Sequence, residues 1–378
     1  MEARRLYRQA RKLARLALKR RTSVPHELQL EVTNRCNLDC QMCPRLTLLK
    51  VPEVDMSWET FTRVLDRLSE LPESVTLTGW GEPLMHPRLF DFIAELHGRF
   101  PACDVAFTTN AHLLTNAMIE RVLAAKVSRV NVSLEELPWE NADARVTSAG
   151  APQAALDAKD VHMRGLGNEV AKGGHPTPPK VVDRLRRFVD AVNADRRAGK
   201  PAPELRLQVV LFPSGSEVML RLIDFAAEAG FHAINLVRLD VRGRPDLRRP
   251  SWEEERRMIS QARERAAQRG VPLGSVNDHG FALRLASHAD SFCVRLDDFI
   301  YVDVSGNVAP CCLLRGHHMG NLLEQSLEQV WQSDRFKKFY GPEVHPACQG
   351  CDAFLHNYAA AAPFDVGPRP LPVLRGTA

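Results

Sequence analysis

The feature that most constrains this chain is a repeated alternation of short β-rich runs with helical ones through its first two-thirds. Strands are expected over residues 26–33, 74–78, 104–108, 129–134, 204–211 and 233–238, several of them nearly continuous in apolar residues, as parallel strands buried on both faces should be. Helical patterns over 57–71, 87–100, 116–125, 181–198 and 216–229 fall between them. This order predicts an α/β chain whose parallel sheet is covered by helices. Six such units make an open, partial (β/α)6 barrel rather than a closed one of eight.

The remaining segments divide around that barrel. Residues 1–25 read as a basic amphipathic helix: positions 1–22 hold nine Lys/Arg and one Glu, a local +8 that leaves −4 for the rest of a chain of net +4. Such a helix packs on the barrel with its arginines in water, or meets an acidic partner or a membrane surface. The negative remainder argues against a nucleic-acid-binding surface. The barrel spans 26–250, with an Ala-, Gly- and Pro-rich insertion or lid over 135–180. A linker helix region follows over 251–290, then a cysteine-bearing segment over 291–358 and an irregular tail over 359–378. No signal peptide or apolar run of spanning length is present, so a cytoplasmic location is expected.

Eight of the nine cysteines cluster, which in a reducing compartment points to metal or catalysis before disulfides. The first strand runs directly into RCNLDCQMCPR, where Cys36, Cys40 and Cys43 are spaced C-x3-C-x2-C. Three close thiolates suit a cubane and leave one iron open to a small-molecule ligand, whereas electron-transfer clusters usually have all irons ligated by protein. A zinc site completed by a distant residue is the competing reading. The loop follows a parallel strand, where such folds place their active sites.

This region resembles the radical S-adenosylmethionine (SAM) superfamily, whose hallmark is C-x3-C-x-Φ-C. Cys36, Cys40 and Cys43 fall on its three ligands, and Met42 stands at the usually aromatic Φ position. The resemblance implies a [4Fe–4S] cluster with SAM at its open iron and reductive cleavage of SAM to a 5′-deoxyadenosyl radical that takes a substrate hydrogen. TLTGWGEPLMHP resembles the family's GGE segment, which holds the SAM amino group. Gly79, Gly81, Glu82 and Pro83 are carried over, with Trp80 where relatives have glycine. Asn110 at the third strand's end and Ser133 at the fourth's match further SAM contacts, and Arg145 lies twelve residues on, where relatives reach the SAM carboxylate.

The C-terminal cysteines follow IYVDVSGNVAPCC, which reads as a hairpin, and end in HPACQGC. A four-cysteine zinc site remains open from spacing alone. The segment resembles the Twitch domain, the shortened relative of SPASM. Cys293, Gly306 and Cys311, then Cys348 and Cys351, match its pattern, which implies one auxiliary [4Fe–4S] cluster. Cys312 is left as an alternative ligand, a buried thiol or a hydrogen donor to a substrate radical. His317 and His318 are read as surface or packing residues.

Relatives with such domains dehydrogenate sugars and aminocyclitols, mature sulfatases or modify peptides. The auxiliary cluster, able to accept an electron, points to a radical SAM oxidoreductase acting on a polar small molecule, with a flavodoxin or ferredoxin as reductant. The 35 residues before Cys36 are too few for the leader-binding domain of many peptide modifiers. A peptide or protein maturase, an epimerase using Cys312, and a non-catalytic zinc or iron–sulfur scaffold are the alternatives.

Overall fold

A computed structural model describes residues 24–40, 42–68, 72–135, 137, 178–239, 247–276, 291–293, 298–340, 345–348 and 354–356. Most of the expected basic helix, most of the 135–180 insertion, Arg145, Cys351 and the 359–378 tail lie outside them; Cys293 is described as part of a strand only.

The six expected strands form as β1 (Glu27–Leu30), β2 (Ser74–Thr76), β3 (Asp104–Thr109), β4 (Arg129–Ser133), β5 (Glu204–Leu211) and β6 (Ala233–Arg238), paired in that order and all parallel. One strand missed in the sequence and the first strand of the expected cysteine hairpin extend the parallel array. β7 (Leu273–Val276) pairs with β6 through a register shift, and β9 (Phe299–Val302) pairs with β1 at the other edge. β9 continues into β10 (Asn307–Ala309), which pairs with β11 (Gly320–Asn321), completing a sheet of ten. The hairpin between β9 and β10 turns at Gly306, whose φ of 81° suits a residue without Cβ. Asp303 closes that turn by accepting from the backbone N–H groups of Ser305 and Asn307. The C-terminal cysteine hairpin therefore continues the barrel's own sheet.

Helices α1 (Arg45–Leu48), α2 (Trp58–Asp66), α3 (Leu89–Arg99), α4 (Asn116–Ala124), α5 (Pro179–Arg197), α6 (Ser216–Ala229) and α7 (Trp252–Arg269) lie between the strands. Local chemistry sets their ends. Ser57 and Ser251 accept from the first turns of α2 and α7, while α6 and α7 stop at Gly230 and Gly270 in the left-handed region. The longer helices each bury one apolar stripe, as Phe61, Val64 and Leu65 do on α2, where Phe61 stacks on Phe92 of α3 at 3.9 Å between ring centroids.

One expectation needs correction. The strands are not apolar on both faces: on β5, Leu205, Leu207, Val209 and Leu211 are buried against the helices, while Arg206, Gln208 and Val210 between them are only partly buried. The register carries this across the sheet, aligning Thr108, Asn131 and Arg206 in one row and Ser133, Gln208 and Asn235 in the next. Helices cover one face; the other is polar.

Candidate active site

The loop after β1 is fastened before it reaches the cysteines. Asn34, fully buried, accepts from Val54 N–H at 2.6 Å and donates to the Pro52 carbonyl at 3.0 Å. Thr33 donates to Asp55 at 2.6 Å, and Arg35 pairs with the same carboxylate at 2.9 Å. Arg45, which sequence reasoning missed, is buried inside the loop's far end. It donates to the Leu38 carbonyl at 3.0 Å and pairs with Asp39 and Glu53. A buried arginine with a backbone carbonyl as partner braces a loop far better than an exposed one. Its signal in the sequence was only its place two residues past Cys43.

Within this frame Cys36, Cys40 and Cys43 are half-buried. Burial, with the Glu82 and Cys43 charges adding to it against a hydrogen bond at Leu38 and Arg45, pushes the Cys36 thiol up to about 11. Burial again, then Glu135 and the other two thiols, push Cys40 still higher. Thiols that raise one another are neighbours that need a cation to exist as thiolates, which the irons of a cluster provide. Among the described residues no three His, Cys, Asp or Glu converge closely enough to hold a single metal ion. Three thiols on one loop are the donor set that a cubane with one open iron takes. Asn110 adds an amide donor 3.9 Å from the Cys36 sulfur. Met42 packs with Phe212, Leu239 and Leu247 beyond β5 and β6, so its apolar bulk fills a gap between loops.

The second loop, residues 79–82, stands against the first. Glu82 N–H donates to the Arg35 carbonyl at 2.8 Å. A Cβ on Gly81 would lie 2.4 Å from that carbonyl and 2.5 Å from the Thr33 carbonyl, and one on Gly79 would lie 2.2 Å from the Glu31 side chain. Both glycines are therefore required by neighbouring protein. Glu82 is buried. It accepts from Leu84 N–H at 3.1 Å and Asn110 N–H at 2.8 Å, and Pro83 opens the short 3-10 turn that follows. Burial raises its carboxyl to about 7 despite those hydrogen bonds. A carboxyl held this way keeps its proton up to near neutrality and would gain from a cation such as an ammonium once ionised. Ser133, at the end of β4, donates to Glu135 at 2.8 Å, and burial raises the Glu135 carboxyl beside Cys40.

Sequence reasoning also missed a buried ion pair. Glu31, at the end of β1 and fully buried, takes Arg315 Nε at 2.9 Å and Nη2 at 2.6 Å on one oxygen. Its other oxygen accepts from Trp80 N–H at 3.0 Å. Burial beside that carboxylate pushes the Tyr301 hydroxyl, on β9, well above its usual range. No spacing rule links residues 284 apart.

The second cysteine group lies on separate segments of the chain. Cys311 and Cys348 are buried and Cys312 is half-buried. β8 (Ser291–Cys293) pairs with β12 (Phe354–His356), setting Cys293 opposite Phe354, three residues past Cys351 in the chain. His317, expected at the surface or in packing, is partly buried; it meets Phe339 edge-on and lies 6.4 Å from the His345 ring. Burial lowers its pKa.

Residues 30–160 match the Radical SAM superfamily, and residues 293–352 match SPASM, an iron–sulfur cluster-binding domain. The second match opens on Cys293 and closes one residue past Cys351. The AdoMet-dependent heme synthase of Methanosarcina barkeri is 23% identical over 91% of this chain and 95% of its own length. The PqqA peptide cyclase of Granulibacter bethesdensis is 25% identical over 87% of this chain and 80% of its own. Among solved structures, Streptococcus suis SuiB bound to the precursor peptide SuiA shares the fold, with a TM-score of 0.61 and 19% identity over 88% of this chain and 70% of that one.

Proposed function

From the premise that the chain is a radical SAM enzyme with a C-terminal SPASM-type iron–sulfur domain, we propose that it oxidises a polar small molecule by removing hydrogen. The [4Fe–4S] cluster with SAM and the auxiliary cluster supply, when bound, hydrogen-atom abstraction and an acceptor for the second electron.

The chain's own contribution is placement. Cys36, Cys40 and Cys43 would hold the first cluster, and Cys293, Cys311, Cys348 and Cys351 the auxiliary one. Glu82 would take the SAM ammonium, the Gly79 and Gly81 backbone would keep its loop against the triplet, and Asn110, Ser133 and Arg145 would complete the SAM contacts. A flavodoxin or ferredoxin would serve as reductant. Met42 and Pro83 shape the same loops without offering a polar contact.

The observation that carries the substrate class is the polar face of the sheet. Cross-strand neighbours there are Thr108, Asn131, Ser133, Gln208 and Asn235, and the side-chain carbonyl oxygens of Asn131 and Asn235 are buried without a hydrogen-bond partner. Buried acceptors left open are costly, and a ligand rich in hydroxyl or amine donors would satisfy them. The likeness to a heme synthase, along 95% of that relative's length, supports the small-molecule reading.

A second reading, peptide modification, is favoured by the likeness to a peptide cyclase over most of both chains. One experiment separates them: anaerobically reconstituted enzyme, SAM and dithionite are incubated with deuterated sugars and aminocyclitols, or with deuterated peptides. Deuterium in 5′-deoxyadenosine from a small molecule, with a product lighter by two hydrogens, supports the proposal. Deuterium from peptides alone overturns it.

A further inference from the structure

Residues 79–82 are clamped from two sides. On one side Glu82 N–H bonds to the Arg35 carbonyl, and Gly81 leaves no room between its Cα and the backbone leading to Cys36. On the other, Trp80 is held by the turn that bears the C-terminal cysteines. Its Nε1–H donates to the Cys312 carbonyl at 3.3 Å, its N–H donates to Glu31, and the Arg315 guanidinium lies 5.8 Å from its ring centroid. Arg315 and Glu31 close the circuit with a buried pair that joins this turn to the strand from which the triplet loop springs. The turn itself is compact, with Leu314 N–H bonded to the Cys311 carbonyl. The loop bearing Glu82 is thus the shared wall of the two cysteine sites.

A buried charge pair is not a strong source of stability, because desolvation offsets most of the attraction; its best-attested use is to specify one arrangement. Here the arrangement specified is the seat of the Cys311–Cys312 turn on Trp80. We propose that Glu31, Trp80 and Arg315 are positioning residues that couple the auxiliary site to SAM binding. A cluster that fixes the Cys311 turn fixes Trp80 and with it Glu82, and SAM held at Glu82 steadies the auxiliary site in return. The inference rests on the reading that Glu82 binds SAM.

The test is a double-mutant cycle on SAM affinity in the full-length, anaerobically reconstituted protein. Four proteins are compared by equilibrium dialysis: native, Cys348→Ser, Arg315→Met and the double variant. Cys348→Ser should weaken SAM binding about tenfold, Arg315→Met about as much, and the double variant no more than either alone. Multiplying effects, or a Cys348→Ser protein that binds SAM as the native does, would overturn the coupling. If Arg315→Met does not fold, Trp80→Phe takes its place in the cycle: it keeps an aromatic ring and the ion pair while removing the donor to Cys312 with part of the indole. It should shrink the effect of Cys348→Ser about threefold, and an unchanged effect would count against the coupling. Backbone amide exchange at residues 79–82 should quicken in Cys348→Ser and in Arg315→Met, a change that lost activity alone would not produce. Glu82→Gln is the control. If it leaves SAM affinity intact, the reading of that loop fails, whatever the cycle shows.

Discussion

The two cysteine groups solve the same problem in opposite ways. The first sits on one loop of eight residues, Cys36 to Cys43, whose shape is held by neighbours close in sequence: Arg45 on Leu38, Asn34 on Val54, Arg35 on Asp55. The second is spread from Cys293 to Cys351 in sequence, on segments whose neighbours are set by strand pairing, β8 with β12 and β9 with β1. A local site is fixed as soon as its loop forms. A dispersed one waits for the sheet, so it carries a larger loop-closure cost and depends on distant contacts such as Glu31–Arg315. The difference teaches that the first group should tolerate damage to the second better than the reverse.

That asymmetry can be broken outright. Alanine at Cys36, Cys40 and Cys43 together should abolish 5′-deoxyadenosine formation and leave about four irons per chain, whereas Cys348→Ser at saturating SAM should retain cleavage while also losing about four. Iron assay and chromatography of the SAM products read both; cleavage by the triple variant would end the comparison. Arg315→Ala strands the Glu31 carboxylate in a dry site and should cost about 3–5 kcal/mol by chemical denaturation, with auxiliary iron lost before the first cluster.

The loop between the groups offers a pH test. Glu82 titrates at about 7 when folded against an ordinary value of 4.5, so the folded state holds its proton longer than the unfolded one. Stability from this group is therefore fullest below pH 4.5 and falls as pH rises to about 7, by about 3 kcal/mol. Glu82→Gln should flatten that fall in denaturant midpoints, and SAM should restore stability most above pH 7, where its ammonium meets a carboxylate. A native profile that is flat without SAM would remove the argument for a cation at Glu82.

Smaller effects sharpen the picture. Gly81→Ala would press a methyl into the Arg35 and Thr33 carbonyls, which cannot swing aside, and should cost about 1–3 kcal/mol with weakened SAM binding. Gly98→Ala, at an open position in α3, should instead stabilise by about 0.5–1 kcal/mol. Thermal melts of the two alanine variants should move in opposite directions.

Much of this molecule was legible in its residues. Strand and helix periodicity marked β1 to β6 and the helices between them within a few positions, because each element buries a regular stripe. The Cys36–Cys43 spacing and the 79–82 segment stood out for a related reason: the residues proposed for each lie close together in sequence. The same periodicity misled where apolar runs such as 204–211 looked buried on both faces, because residues like Gln208 and Asn131 show their polar role only when aligned across strands. β7 was overlooked because four residues with a glycine carry little signal. Tertiary structure alone decided that β9 joins the barrel beside β1, that Gly79 and Gly81 yield space to Glu31 and Arg35, and that Arg315 reaches Glu31 across 284 residues. Such contacts follow from how the chain closes in space, and no local period or spacing encodes them.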